Sequence, residues 1–284
     1  MCDDEIDPGF EDPAVSRRTF GIMTAVAAGL TATGAQAQMK VVEKDVTIKT
    51  PDGTADAALF YPEGRGTWAG VLMWPDIMTL RPAFRDMGRR LANEGYVVLV
   101  PNYYYRNTKA PISLNFSNAA DRAGFAPLRA PFNDVAAMDR DAKAYIDFID
   151  AQPQTNKRRK IGVQGYCMGG PFSFRTAAVA PNRIGAVSSF HGGGLTTNQP
   201  TSPHLLVAKT NADYLIAVAQ NDDRNDPQSK ETLKQTFASN RRPHKVEVYP
   251  ADHGWMVKGS QVYDASQAER GWHEMVSQYQ RALA

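Results

Sequence analysis

One stretch, Ile161 to Gly170 (IGVQGYCMGG), constrains this chain more than any other. An apolar run suited to a buried strand ends at Gln164, and helical spacing begins near Met168, so a sharp turn must join the two. Gly165 and Gly169 frame Cys167 in that turn, giving G-x-C-x-G. A strand and a helix that meet this abruptly leave no room for side chains at the framing positions. The residue between them is held in a strained backbone.

The rest of the chain repeats the strand-then-helix pattern. Val41 to Thr50 and Thr54 to Tyr61 read as a hairpin around Pro51-Asp52-Gly53. Continuous apolar runs predict buried strands at Ala69 to Trp74 and Tyr96 to Val100, and further strands are expected at Lys160 to Gln164, Ile184 to Phe190, Tyr214 to Ala219 and Lys245 to Tyr249. Helical spacing falls between them, over Ala83 to Glu94, Asp134 to Ile149, Met168 to Ala180, Gln228 to Ser239 and Tyr263 to Leu283. Such alternation predicts an α/β fold with a mostly parallel sheet and helices on both faces. A single domain over residues 38–284 is expected. Tyr103 to Pro131 reads as irregular, either a binding loop or lid or a plain surface excursion.

Composition removes several functions. With 43% hydrophobic residues in 284, the chain is too apolar to be disordered, and 18 Pro with 22 Gly is close to average. A net charge of +2 offers no electrostatic footprint for nucleic acid. The one tight basic run, Lys157 to Lys160, precedes a strand and reads as a solvated loop. Cys2 and Cys167 are too few and too far apart for a disulfide scaffold or a metal site.

The first 37 residues behave differently from the rest. Ser16-Arg17-Arg18-Thr19-Phe20 leads into a short apolar stretch, Phe20 to Leu30, and then Ala35-Gln36-Ala37. Paired arginine, apolar region and A-x-A stand in the order of a twin-arginine export signal. Partnership with the twin-arginine export machinery, a mature chain from Gln38 and a periplasmic location are therefore expected. The apolar part is too short for stable membrane insertion. Export leaves Cys167 without an intrachain partner in an oxidising compartment, so it is either buried and inert or chemically employed.

The framed turn matches the nucleophile elbow of α/β-hydrolases, with Cys in place of Ser. At a helix N-terminus a thiolate is favoured, and the N–H of Met168 would point to a developing oxyanion. In that fold the acid and then the histidine follow the nucleophile. Asp222 follows the strand Tyr214 to Ala219, and His253 follows Lys245 to Tyr249, both at the strand ends where open α/β sheets place their sites. Asp223 and Asp226 compete for the acid role but read as turn formers. His191 ends a strand and is a candidate to line the pocket. His204, His244 and His273 read as exposed.

Gly165-Tyr166-Cys167-Met168-Gly169-Gly170, with Asp222 in Ala-Gln-Asn-Asp and His253 in His-Gly-Trp, resembles the dienelactone hydrolase (carboxymethylenebutenolidase) family from about Val46 to Leu283. The resemblance implies Asp76, in Trp74-Pro75-Asp76-Ile77, as the carboxylate that holds the resting thiol. It also implies the N–H of Ile77 as the second oxyanion donor. Pro101-Asn102-Tyr103-Tyr104-Tyr105-Arg106 is similar to the family's Pro-Asp-x-Tyr-x-Arg, so Tyr104 would line the pocket and Arg106 would hold a substrate carboxylate. Two positions depart from the family. Asn102 replaces Asp, and the second substrate-binding arginine, four residues after the histidine, is Val257 here, with Lys258 next. Trp255 and Lys258 are further pocket candidates.

The expectation is a cysteine-dependent hydrolase of a small-molecule lactone or ester, with no metal or organic cofactor, and monomeric. A general carboxylesterase and a non-catalytic periplasmic binding protein on the same scaffold remain alternatives. A thiol redox protein lacks the resolving cysteine it would need.

Overall fold

The computed structural model describes residues 39–116 and 118–284, so the export-signal reading lies outside the described residues. Met39–Ala284 form one compact unit around an eight-stranded sheet. Its strands are β1 (Val41–Thr50), β2 (Gly53–Pro62), β3 (Ala69–Trp74), β4 (Tyr96–Pro101), β5 (Ile161–Tyr166), β6 (Ile184–Phe190), β7 (Asp213–Ala219) and β8 (His244–Tyr249). Their order across the sheet is β1-β2-β4-β3-β5-β6-β7-β8. The hairpin expected from Pro51-Asp52-Gly53 is present, with Thr50 paired to Gly53 and Val41 to Pro62. β2 joins β4 antiparallel, and every pairing from β4 to β8 is parallel.

The continuous apolar runs follow from burial on both faces. Along β3, Leu72 and Trp74 enter one core while Val71 and Met73 enter the other. The first core is closed by α3 (Val135–Ala151), α4 (Gly169–Val179) and α6 (Pro227–Ser239) through Tyr145, Ile149, Phe172, Phe174, Leu233 and Phe237. The second is closed by α1 (Pro82–Asn93) and α7 (Ala265–Ala282) through Phe84, Leu91, Trp272, Met275 and Tyr279. Asp134 caps α3 by accepting from the Ala136 N–H at 3.0 Å, and Asp264 caps α7 by accepting from Gln267 at 2.9 Å. Inside α7, buried Gln278 accepts from the Ser188 hydroxyl at 2.7 Å and donates to the Asp213 carbonyl at 2.9 Å, which pins the helix to β6 and β7.

Two segments differ from the sequence reading. The irregular stretch after Tyr103 contains α2 (Phe125–Arg129) between two 3₁₀ turns, Arg122–Gly124 and Ala130–Asn133. Phe125 anchors it, being 1% exposed. The residues after β7, where Asp223 and Asp226 read as turn formers, form a short helix, α5 (Gln220–Asn225). Among the described residues, no helix is long and apolar enough to cross a membrane.

Candidate active site

Five strands adjacent in the sheet, β3, β5, β6, β7 and β8, deliver Asp76, Cys167, His191, Asp222 and His253 at their carboxyl ends. The centre is the turn between β5 and α4. Cys167 has φ +50°, a region that L-residues with a side chain rarely adopt. A Cβ on Gly165 would lie 2.0 Å from the Gly169 carbonyl oxygen, so the turn closes only with glycine there. Cys167 is a free, half-buried thiol.

His253 sits between that sulfur and Asp222. Its Nδ1 donates to Asp222 Oδ2 at 2.7 Å, and Asn221 Oδ1 accepts from its backbone N–H at 2.8 Å, so α5 fixes both ring and backbone. Burial disfavours the charged imidazole. The hydrogen bonds and negative charge of Asp222 and Cys167 outweigh it, and His253 is pushed up to about 10. Asp223 is taken up by Lys230 at 2.5 Å.

The loop after β3 faces the elbow. The N–H groups of Met168 and Ile77 have no acceptor among the described residues. The Tyr103 hydroxyl donates to the Asp76 carbonyl, and the Tyr104 hydroxyl donates to the Ile77 carbonyl at 3.0 Å. Both phenols are buried and held well above their usual range, mainly by desolvation, with the charges of Asp76 and Cys167 adding to it.

Several candidates from the sequence sit elsewhere. Asp76 was expected on the thiol. Instead both its oxygens face Arg81, Oδ1 at 2.5 Å and Oδ2 at 2.8 Å, and Oδ1 accepts from the Met78 N–H at 2.9 Å. A guanidinium fork matched to both carboxylate oxygens explains the preference. Arg106 was expected on a substrate carboxylate. It is held by Asp141 at 2.8 Å and Asp52 at 2.6 Å, with Asp141 also accepting from the Tyr105 hydroxyl. Trp255 is fully buried, stacked on Tyr249 and edge-on to His191, so it backs the site from within the core. Lys258 is exposed and lines a separate groove with Arg90 and Trp272. Val257 is buried in the core.

A groove of about 430 Å³ opens beside the elbow, lined by Met168, Phe172, Met138, Phe132 and Arg129. Among the described residues nothing pairs with the Arg129 guanidinium, and its charge reaches the Tyr104 phenol. The sequence reading missed Arg129, Arg81, Tyr103 and Asn221. Only Asn221, beside Asp222, and Tyr103, beside Tyr104, lay in motifs already singled out. A larger groove of about 530 Å³ lies at the opposite ends of β7 and β8, lined by Lys245, Glu274, Arg281 and Asp213, and holds none of these side chains. Among the described residues, no cluster of His, Cys, Asp and Glu has the makings of a metal site.

The sequence pattern of the dienelactone hydrolase family matches residues 55–283. A carboxymethylenebutenolidase of Rhodococcus opacus is 24% identical over 241 residues, covering 83% of this chain and 90% of its own. A dienelactone hydrolase-like promiscuous phosphotriesterase from metagenomic libraries superposes with a TM-score of 0.72 at 20% identity, over 86% of this chain and 99% of that one. The dienelactone hydrolase of Anabaena variabilis gives 0.62 at 14% identity, over 86% and 99%. At these identities the solved structures establish the α/β-hydrolase fold, while the sequence match reaches the lineage. The chain belongs to the dienelactone hydrolase family and is a hydrolase of that type.

Proposed function

We propose that this protein hydrolyses esters or lactones through a Cys167–His253–Asp222 triad. The reading rests on one observation above all. His253 lies between the Asp222 carboxylate, at 2.7 Å, and a thiol presented on a strained elbow. An imidazolium there pairs with a thiolate, which attacks the substrate carbonyl. The oxyanion forms opposite the N–H groups of Met168 and Ile77. Each such donor is worth about 3 kcal/mol of transition-state stabilisation. The C–O bond breaks, and the leaving oxygen takes its proton from His253. Neutral His253 then deprotonates a water, which attacks the thioester and releases the acid and the thiolate.

The groove beside the elbow favours a substrate with an apolar body, and Arg129, which has no partner among the described residues, favours one bearing a carboxylate. A carboxylate-bearing lactone of the kind named for the Rhodococcus relative fits that description. Hydrolysis of a dienelactone and of a neutral aryl ester by the protein and by Cys167→Ala tests the reading. Turnover is expected to vanish in the variant, and full activity without the thiol would overturn the triad.

We also propose periplasmic export, supported by Arg17-Arg18 and the Ala35-Gln36-Ala37 pattern. Replacing both arginines by lysine is expected to leave the protein in the cytoplasmic fraction. Unchanged periplasmic yield would refute the route.

A further inference from the structure

His191 is the buried imidazole at the site that the triad does not use. It follows β6, between the strands carrying Cys167 and Asp222, and is 1% exposed with φ +42°. Its backbone N–H donates to the Ala217 carbonyl at 2.8 Å, which fixes the residue on the sheet. Its Nδ1 lies 3.2 Å from the backbone nitrogen of Cys167. That nitrogen is a donor and shares its hydrogen between His191 Nδ1 and the Phe190 carbonyl at 3.1 Å. Nδ1 must therefore accept, which places the ring proton on Nε2. Among the described residues Nε2 has no partner. The ring stands 5.0 Å, centroid to centroid, from both His253 and Trp255. Burial first, and the charge of His253 second, hold His191 well below the usual histidine range. Two neighbouring imidazoles are thus pushed in opposite directions, His191 toward the neutral form and His253 toward the cation.

We propose that His191 is a positioning residue whose Nδ1 fixes the Cys167 peptide. Through that peptide it sets the aim of the sulfur and of the Met168 N–H. A positive-φ residue has few neighbours that hold its backbone plane, and here the imidazole supplies one acceptor from the next strand over. The same ring walls off one side of His253, so elbow and base are registered against a single rigid, uncharged plane.

The inference rests on the triad reading, and its test separates the two. His191→Asn places an amide oxygen where Nδ1 stands and tolerates positive φ. His191→Gly tolerates that φ but offers no acceptor, and His191→Gln carries its amide out to the Nε2 position. Alkylation of Cys167 by iodoacetamide, followed by peptide mapping, reports on the elbow without any substrate. The Asn variant is expected to retain alkylation rate and kcat within about threefold, while Gly and Gln lose roughly tenfold in both with KM little changed. Gln supplies the comparison should the Gly variant fail to fold. Equal loss in Asn and Gln, or full kcat and alkylation in either Gly or Gln, would overturn the proposal. Persisting turnover in Cys167→Ala would instead overturn the triad reading, and the alkylation series would still stand.

Discussion

Gly169, the first residue of α4, lies against Trp74, the last residue of β3: a Cβ on it would sit 2.4 Å from the Trp74 carbonyl oxygen and 2.6 Å from that of Pro75. Neither contact is with a flexible side chain, so nothing can give way cheaply. The contact sets the turn that carries Met168 against the strand end that leads to Ile77, the two backbone donors of the proposed oxyanion hole. Gly169→Ala is expected to lower stability by about 1–3 kcal/mol and to depress kcat more than KM, because the oxyanion donors are pushed apart. Thermal denaturation and steady-state kinetics check both; an alanine variant with unchanged kcat would mean that the close contact does not set the donors.

The hydroxyl of Tyr104 holds the Ile77 carbonyl, and through that peptide group the orientation of its neighbour. Tyr104→Phe should remove roughly 0.5–1.5 kcal/mol of stability and reduce kcat several-fold with KM nearly constant. A change confined to KM would place the phenol on the substrate instead.

Asp222 is the main support of the raised pKa of His253. Asp222→Asn is therefore expected to move the alkaline limb of kcat/KM to lower pH from about 10. The stability sign follows from the same shift. A folded-state pKa above the unfolded value contributes stability that is complete below about pH 6.5 and lost as pH rises through the folded value. The melting difference between wild type and Asp222→Asn should accordingly be largest in mild acid and fade above about pH 10. A constant difference across that range would argue against a charged His253.

Arg106 and Arg129 are expected to respond in opposite ways. Arg106 closes over Asp141, whose side chain is 2% exposed, so Arg106→Gln leaves a buried carboxylate without its counter-charge and should destabilise by about 3–5 kcal/mol without altering preference among substrates. Arg129→Gln should leave the melting temperature alone and lower kcat/KM roughly fivefold for carboxylate-bearing esters only. Equal loss on neutral esters would remove Arg129 from substrate selection.

The nearness of Cys167, Asp222 and His253 is legible in the sequence because each closely follows an expected strand, and a parallel sheet brings such positions to one edge. What escaped depends on partners that no local pattern reveals. The α5 sequence, QNDDRN, has no apolar period, so a helix there has no signature. Arg106 reads as a free cation until α3 places Asp141 beneath it. Asp76 reads as free to hold the thiol until Arg81, turned back by the loop, takes both its oxygens. Lys258 belongs to a strand-end loop like His253, yet it lies exposed on a separate groove with Arg90 and Trp272.

The order of strands has an outcome for biosynthesis. From β5 onward the sheet follows the order of translation, and His253 comes in after β8, at the very edge. On the proposed triad, the cysteine loop would be made before the imidazole that charges the sulfur. The thiol would then be fully armed only once the edge strand had joined the sheet, and a chain cut short before β8 would lack the base that its nucleophile needs.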